Sequence, residues 1–342
     1  MPEPMQAYVM RAYGGPEVTA LAPMPVPVPS PQQLLVRVRA AGLNPVDFKT
    51  RSGELRIVQR YRLPAVMGNE LAGEVLACGA EVRGFATGDR VFARVAKDAM
   101  GAFAEFAVVE ARHAAPLPAA LDFATAAAVP LAGLTALQAL RDELRVAPGQ
   151  RIFISGGAGG VGGFAIQLAK HLGAEVATTA SPRGEALVRR LGADIVVDYT
   201  RQRPGDMLSG LDGAFDLIGG DTLRQSFALL KPGATVVSVA GMPEPQTAAR
   251  DLGRGPALQA LFWLASLSLR RLARRHGVHY RYLFMHPSGA ELAELAALVE
   301  AGVLKPVIDS VYPLERIAEA MARLEAGHAK GKIVITMPGD TR

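Results

Sequence analysis

Cysteine is almost absent. Cys78 is the only one in 342 residues, so no intramolecular disulfide can form and the chain fits a reducing compartment. Its place in the apolar run AGEVLACG suits a small packing residue better than a nucleophile. Aromatic residues make up only 6% of the chain, with a single tryptophan, and none stands among the clustered arginines from Arg270 to Arg275. That argues against the stacking platforms on which single-stranded nucleic acid binds. No apolar run reaches the roughly 18 residues that cross a bilayer, the nearest being Pro256 to Leu269. Met1 to Met10 hold no basic segment followed by an apolar stretch, so no secretory leader is expected and the protein reads as soluble and cytoplasmic. His113, His171, His276, His279, His286 and His328 form no HxxxH or HxH pair beside a carboxylate, and neither GxSxG nor a Cys/His nucleophile pattern occurs. No metal site is expected.

What is present is a large apolar complement. Half of the residues are hydrophobic, and 342 residues exceed what one core usually holds, so two domains are expected. After the proline-rich APMPVPVPSPQ, the run LLVRVRAAG alternates with period two, as a half-buried strand does. AGEVLACG, the turn GFATGDRV and GAFAEFAVV continue as short strands of a β-rich, partly barrel-like domain. Beyond Leu121, alanine-rich helical stretches give way to alternating strands and helices. GQRIFISGG, AEVATTAS, ADIVVDY, FDLIGG and ATVVSVAG have the spacing of an α/β fold with a parallel, doubly wound sheet. Helices around ELAELAALVEAG and LERIAEAMARLEAG and a strand KIVITM close the chain. The expected division is 1–125 with 286–342, and 126–285, with a substrate cleft between the two.

Residues 152–162 read IFISGGAGGVG and pass directly into the helical pattern of VGGFAIQLAKHLG. Gly157, Gly159 and Gly162 stand at GxGxxG spacing, with Ala158, Gly160 and Val161 between them. A pyrophosphate approaches a backbone closely only where no Cβ intervenes, and a helix N-terminus then supplies N–H donors and positive dipole. The segment is therefore expected to bind a dinucleotide in a Rossmann unit. An NAD site places an acid at the end of the second strand, yet Ala177 to Ser181 contain none. Ser181 and Arg183 follow, a hydroxyl and a guanidinium suited to a 2′-phosphate, so NADPH is expected over NADH. The alternative for Arg183 is an ordinary solvated turn residue.

Several ordered motifs run nearly the whole length: AAGLNPVDFKTRSG, PAVMGNELAGEVLACGAEVRGFATGDRV, VPLAGLTALQAL, SGGAGGVG, LGADIVVDY and GHAKGKIVI. In these the chain resembles the zinc-free medium-chain dehydrogenases/reductases, in their quinone oxidoreductase and enone reductase branch. The resemblance implies a GroES-like catalytic domain beside the Rossmann domain, a homodimer, and hydride transfer from NADPH to a quinone or an α,β-unsaturated carbonyl. Where the zinc alcohol dehydrogenases of that superfamily carry a ligand cysteine and histidine, this chain has Asn44 and Asn69, and Val46 stands where they have a relay hydroxyl. Neutral amides at two positions do not hold zinc tightly.

By the same resemblance, Lys49 is the candidate to steady the developing enolate and to donate the α-proton. Its alternative is a surface ion pair with Asp47 or a nearby acid. Asn44 is expected to hydrogen-bond the substrate carbonyl or the nicotinamide ribose, or to cap a turn as Asn-Pro does. Asn69 and Glu70 share that ambiguity. Thr135 matches a threonine beside the nicotinamide, with a helix cap as its alternative, and Tyr199 matches a residue near the adenosine phosphate. Gly219 and Gly241 follow the fourth and fifth strands, where ligands of parallel sheets bind.

A related branch, the enoyl-thioester reductases, carries a catalytic tyrosine where this chain has Leu55, although Tyr61 lies close by. A non-catalytic NADPH-binding role is the competing class. It draws on the segment Gly253 to Tyr282, where PALQALFWLASLSL is joined by Arg254, Arg270, Arg271, Arg274, Arg275 and Arg281. Against a formal charge of +5, six arginines here leave about −1 for the rest of the chain. The segment reads as a basic amphipathic helix on an anionic membrane, as a holder of an anionic substrate tail, or as a solvated or dimer-packing helix.

Overall fold

The computed structural model describes residues 3–119 and 121–338. Two compact units are present, Met1–Leu134 with Pro287–Arg342, and Thr135–His286. The division falls inside the helix Pro130–Leu137 and not at residue 126. The reason is local: Phe123–Ala127 packs on the strands Gln33–Leu43 and Glu70–Cys78, and Leu131 N donates to the Glu70 carboxylate at 2.6 Å.

In the first unit a seven-stranded sheet has its main path in the order Ile308–Pro313, Lys332–Thr336, Gln33–Leu43, Glu70–Cys78, Arg90–Arg94, Ala114–Pro116, and Phe106–Glu110 also pairs with Gln33–Leu43. The period-two pattern puts Leu34, Val36 and Val38 inside and leaves Arg37 exposed. They pack with Met10, Leu71, Phe103 and Ile335 in one core, and each fully buried leucine contributes about 1.5–3 kcal/mol. The closing strand Lys332–Thr336 lies antiparallel to Gln33–Leu43 with Ile333 opposite Leu43. That register sets Lys332 beside Asn44, although 288 residues separate them in sequence.

In the second unit six parallel strands stand in the order Ile195–Asp198, Glu175–Ala180, Arg151–Ile154, Leu211–Asp216, Leu230–Ser238, His279–Tyr282. The chain works outward in one direction from the first strand and then in the other. That order leaves a switch point between Arg151–Ile154 and Leu211–Asp216. Two elements depart from the sequence reading. The run FDLIGG leaves the sheet at Asp216, because Leu217 N donates to Ser155 Oγ and Gly219 takes a left-handed φ of 77°.

The arginine-rich segment is not one helix. It forms the helices Pro256–Ala265 and Leu267–Arg275 and then the sixth strand. Arg281 on that strand is buried and meets Glu143 at 3.2 Å, Glu244 at 3.1 Å and Asp251 at 2.5 Å. It is an internal counter-ion and no part of an exterior basic face. The pattern hid this because HYRY is too short and too polar to read as a buried strand.

Candidate functional site

At the carboxyl end of the first strand the chain turns through Gly156 to Gly159 and enters the helix Gly160–His171. Two hydrogen bonds from this turn to the second strand hold it, Gly156 N to Thr179 Oγ1 at 2.9 Å and Gly157 N to Thr179 O at 3.1 Å. A Cβ on Gly157 would stand 2.2 Å from Thr178 Oγ1, and one on Gly162 would stand 2.3 Å from Gly156 O. The helix thus packs against its own strand turn more closely than any other residue type permits. The backbone N–H groups of Gly160, Val161 and Gly162 form the first helical turn, where intrahelical acceptors are missing. Such unpaired N–H groups at a helix start are the donors that a phosphate group requires.

The neighbouring strand ends bring Ser181, Arg183 and Tyr199 to the same edge. Ser181 caps the helix Pro182–Arg190 by backbone geometry alone, and its hydroxyl makes no capping bond. Arg183 is exposed on that helix, whose Gly184 abuts the glycine turn, since a Cβ there would lie 3.0 Å from Ala158 Cβ. Tyr199, 60% exposed, follows the strand Ile195–Asp198, in which Asp198 stands opposite Ala180. Thr135 is buried in the second half of the helix Pro130–Leu137, so it is no N-cap.

Gly219 and Gly241 belong to two loops tied together by one buried carboxylate that the sequence reading missed. Asp216 accepts from Ser155 Oγ at 3.1 Å, Ser238 Oγ at 2.7 Å and Gly219 N at 3.1 Å. Ser238 Oγ in turn accepts from Gly241 N at 2.8 Å. The ends of the first, fourth and fifth strands are therefore pinned at the switch point.

In the first unit the helix Pro45–Ser52 follows Asn44. Asn44 N donates to Asp47 Oδ2 at 2.7 Å, and Asn69 Nδ2 donates to Asp47 Oδ1 at 2.6 Å. The expected donation from Asn44 to a substrate carbonyl is not available. Its amide hydrogens go to Glu70 Oε1 at 2.6 Å and to Gly42 O at 3.4 Å, and its Oδ1 accepts from the Lys332 ammonium. Lys332 also donates to Glu70 Oε1 and to Leu43 O, each at 2.7 Å. Lys332 is the second functional-site residue that sequence reasoning missed. Its one signal was a lysine opening the apolar strand run KIVITM.

Lys49 is half-buried on the same helix, and its side chain enters no hydrogen bond or ion pair among the described residues. The ion pair with Asp47 is not formed. Tyr61 donates to Lys97 O at 3.2 Å, and burial pushes its phenol up to about 12.

Burial also raises the Asp47 carboxyl from 3.8 to about 6, against the lowering effect of hydrogen bonds from Asn69 and Asn44 and of the Lys332 charge. A carboxyl raised on folding adds stability that is complete below about pH 4 and lost as the pH rises through about 6. The protein should therefore lose stability relative to Asp47→Asn across that window, read as the difference in urea midpoints. A difference that does not change with pH would refute the shift.

Two family descriptions match the chain, Alcohol dehydrogenase GroES-like domain over residues 30–119 and Zinc-binding dehydrogenase over residues 191–335. The mitochondrial NAD(P)H oxidoreductase RTN4IP1 of Danio rerio is 36% identical over 99% of this chain and 92% of its own length. The chloroplastic NADPH-dependent alkenal/one oxidoreductase of Arabidopsis thaliana is 35% identical over 98% and 80%. The quinone oxidoreductase from Coxiella burnetii superposes with a TM-score of 0.84 at 32% identity, covering 97% of this chain and 99% of that one.

The chain belongs to the quinone oxidoreductase and enone reductase branch of the medium-chain dehydrogenases/reductases. The branch's two parts are the two units described above, a GroES-like sheet and a Rossmann sheet. The mitochondrial and chloroplastic names of these relatives overturn the cytoplasmic expectation. No helix among the described residues is long and apolar enough to cross a membrane, and no three His, Cys, Asp or Glu side chains there group as a metal site.

Proposed function

We propose that this NAD(P)H oxidoreductase uses NADPH to reduce the C=C bond of α,β-unsaturated carbonyls, or small quinones, by hydride transfer without zinc. The observation that carries the zinc-free reading is the Lys332 ammonium, held between Asn44 Oδ1 and Glu70 Oε1. A positive charge is already fixed at these groups, and the amides of Asn44 and Asn69 are not ligands that zinc favours. Asn44 is thereby a positioning residue that orders the entry to the helix bearing Lys49.

The glycine turn suits the cofactor because Gly157 and Gly162 let the start of the helix Gly160–His171 pack directly against the end of the strand. The backbone N–H groups of Gly160, Val161 and Gly162 would hold its pyrophosphate, and Ser181, Arg183 and Tyr199 its adenosine 2′-phosphate, which favours NADPH. Gly219 and Gly241 line the remaining strand ends, and Thr135 serves the nicotinamide end. When bound, NADPH supplies the hydride. The substrate oxygen then gathers negative charge. Lys49, whose side chain enters no hydrogen bond or ion pair among the described residues, is the group proposed to stabilise that oxygen and to return a proton to the α-carbon. A homodimer belongs to the same proposal through the family resemblance. Thioester reduction is less well supported, since Leu55 replaces the tyrosine it needs and the Tyr61 phenol is held by Lys97 O.

The test is anaerobic incubation with NADPH, 3-penten-2-one and EDTA, with the product identified by mass spectrometry. A saturated ketone is expected, and Lys49→Ala should lower kcat by about 100- to 1000-fold, with Lys49→Arg recovering part of it. An allylic alcohol would overturn the C=C assignment, and full activity in Lys49→Ala would remove the role of Lys49.

A further inference from the structure

Between Asp251 and Glu291 the sequence contains no acidic residue. The helix Pro256–Ala265 lies within that stretch and buries little: Leu261 is 45% exposed, Trp263 45% and Leu264 62%. The following helix Leu267–Arg275 is anchored from one side only, by Leu269, Leu272 and Ala273 in the core of the second unit. Arg271, Arg274 and Arg275, spaced three and four apart, share its exposed face. Arg254 precedes the apolar helix, so cations flank it on both sides, and Arg270 lies over the Trp263 ring at 5.7 Å. The side chains of Arg254, Arg271, Arg274 and Arg275 enter no hydrogen bond or ion pair among the described residues.

We propose that this face docks the protein on an anionic lipid surface, with Leu261, Trp263 and Leu264 entering the headgroup boundary and the flanking arginines bonding lipid phosphates. The charge decides between occupants. Contact of this face with the same face of a second copy would bring unneutralised arginines close together, with no acid between Asp251 and Glu291 to oppose them. A nucleic acid gains nothing from exposed leucines. A lipid surface satisfies both halves of the face: it solvates the apolar helix, it is anionic, and tryptophan favours its interface. The docking does not depend on which acceptor the enzyme reduces.

Trp263 is the sole tryptophan, so its emission reports the event directly. The full chain is titrated with phosphatidylcholine vesicles and with vesicles containing phosphatidylglycerol, some of them with brominated acyl chains. Emission is expected to shift to the blue and to be quenched by bromine only with the anionic vesicles, and the effect should weaken in high salt. Each exposed arginine contributes about fivefold in partitioning, so the triple variant Arg271→Gln, Arg274→Gln, Arg275→Gln should bind about 100-fold more weakly. Leu264→Ser should weaken binding at low and high salt alike. Equal binding to neutral vesicles, or no shift with anionic ones, overturns the proposal. So does a Leu264→Arg variant that turns a dimer into a monomer while the parent protein ignores vesicles, which would assign the face to a second copy.

Discussion

Gly162→Ala is expected to weaken NADPH binding by about 10- to 100-fold, because forced contacts of this kind cost about 1–3 kcal/mol and each 1.4 kcal/mol is tenfold in affinity. The added methyl would meet Gly156 O at 2.3 Å and Gly157 Cα at 2.8 Å. Both are backbone atoms of the turn itself, so no side chain can swing aside. Relief requires the turn to move away from the helix start, and the phosphate cradle opens with it. Fluorescence titration of NADPH measures the loss. Gly205→Ala is the control, since its nearest neighbour would be Leu229 Cδ2 at 3.9 Å. An unchanged Kd in Gly162→Ala, with circular dichroism confirming the fold, would show that this turn does not hold the cofactor.

Lys332→Met should destabilise the first unit by about 3–5 kcal/mol, the usual loss when one partner of a buried ion pair is removed. Glu70 is fully buried and Lys332 is 3% exposed, so water cannot replace the missing ammonium. The second substitution gives the diagnostic result. Glu70→Gln in the same chain removes the orphaned charge and should restore much of the stability, because replacing both members of a buried pair is often close to neutral. Urea unfolding of the two single variants and the double variant measures this. Strictly additive losses would mean that the pair is not coupled, and would remove the argument that Lys332 orders Asn44.

The legible parts of the protein were those written by local chemistry. A β-branched strand running into GGAGGVG specifies a strand, a turn without Cβ atoms and a helix start, and the structure builds that turn with the helix beginning at Gly160. LLVRVRAAG specifies a half-buried strand by alternation alone, and its inward residues are Leu34, Val36 and Val38. The less legible parts depend on residues far apart in sequence. Arg281 reads as one of six exterior cations, yet Glu143, Glu244 and Asp251 surround it once the sixth strand joins the sheet. Asn44 reads either as a donor to substrate or cofactor ribose or as a turn cap, and it stands at the N-cap of Pro45–Ser52 with its amide taken up by Glu70 and Lys332.

By itself the sequence determined the strand, glycine turn and helix start, the family and the two sheet types, because periodicity, glycine spacing and the order of motifs are read without coordinates. Only the tertiary structure decided which charges are partners. The antiparallel register of Ile333 against Leu43 carries Lys332 to Asn44, and the parallel register of Ser238 against Tyr282 carries Arg281 inside. A buried charge is defined by what surrounds it, and pairing between strands that are not neighbours in sequence supplies those surroundings.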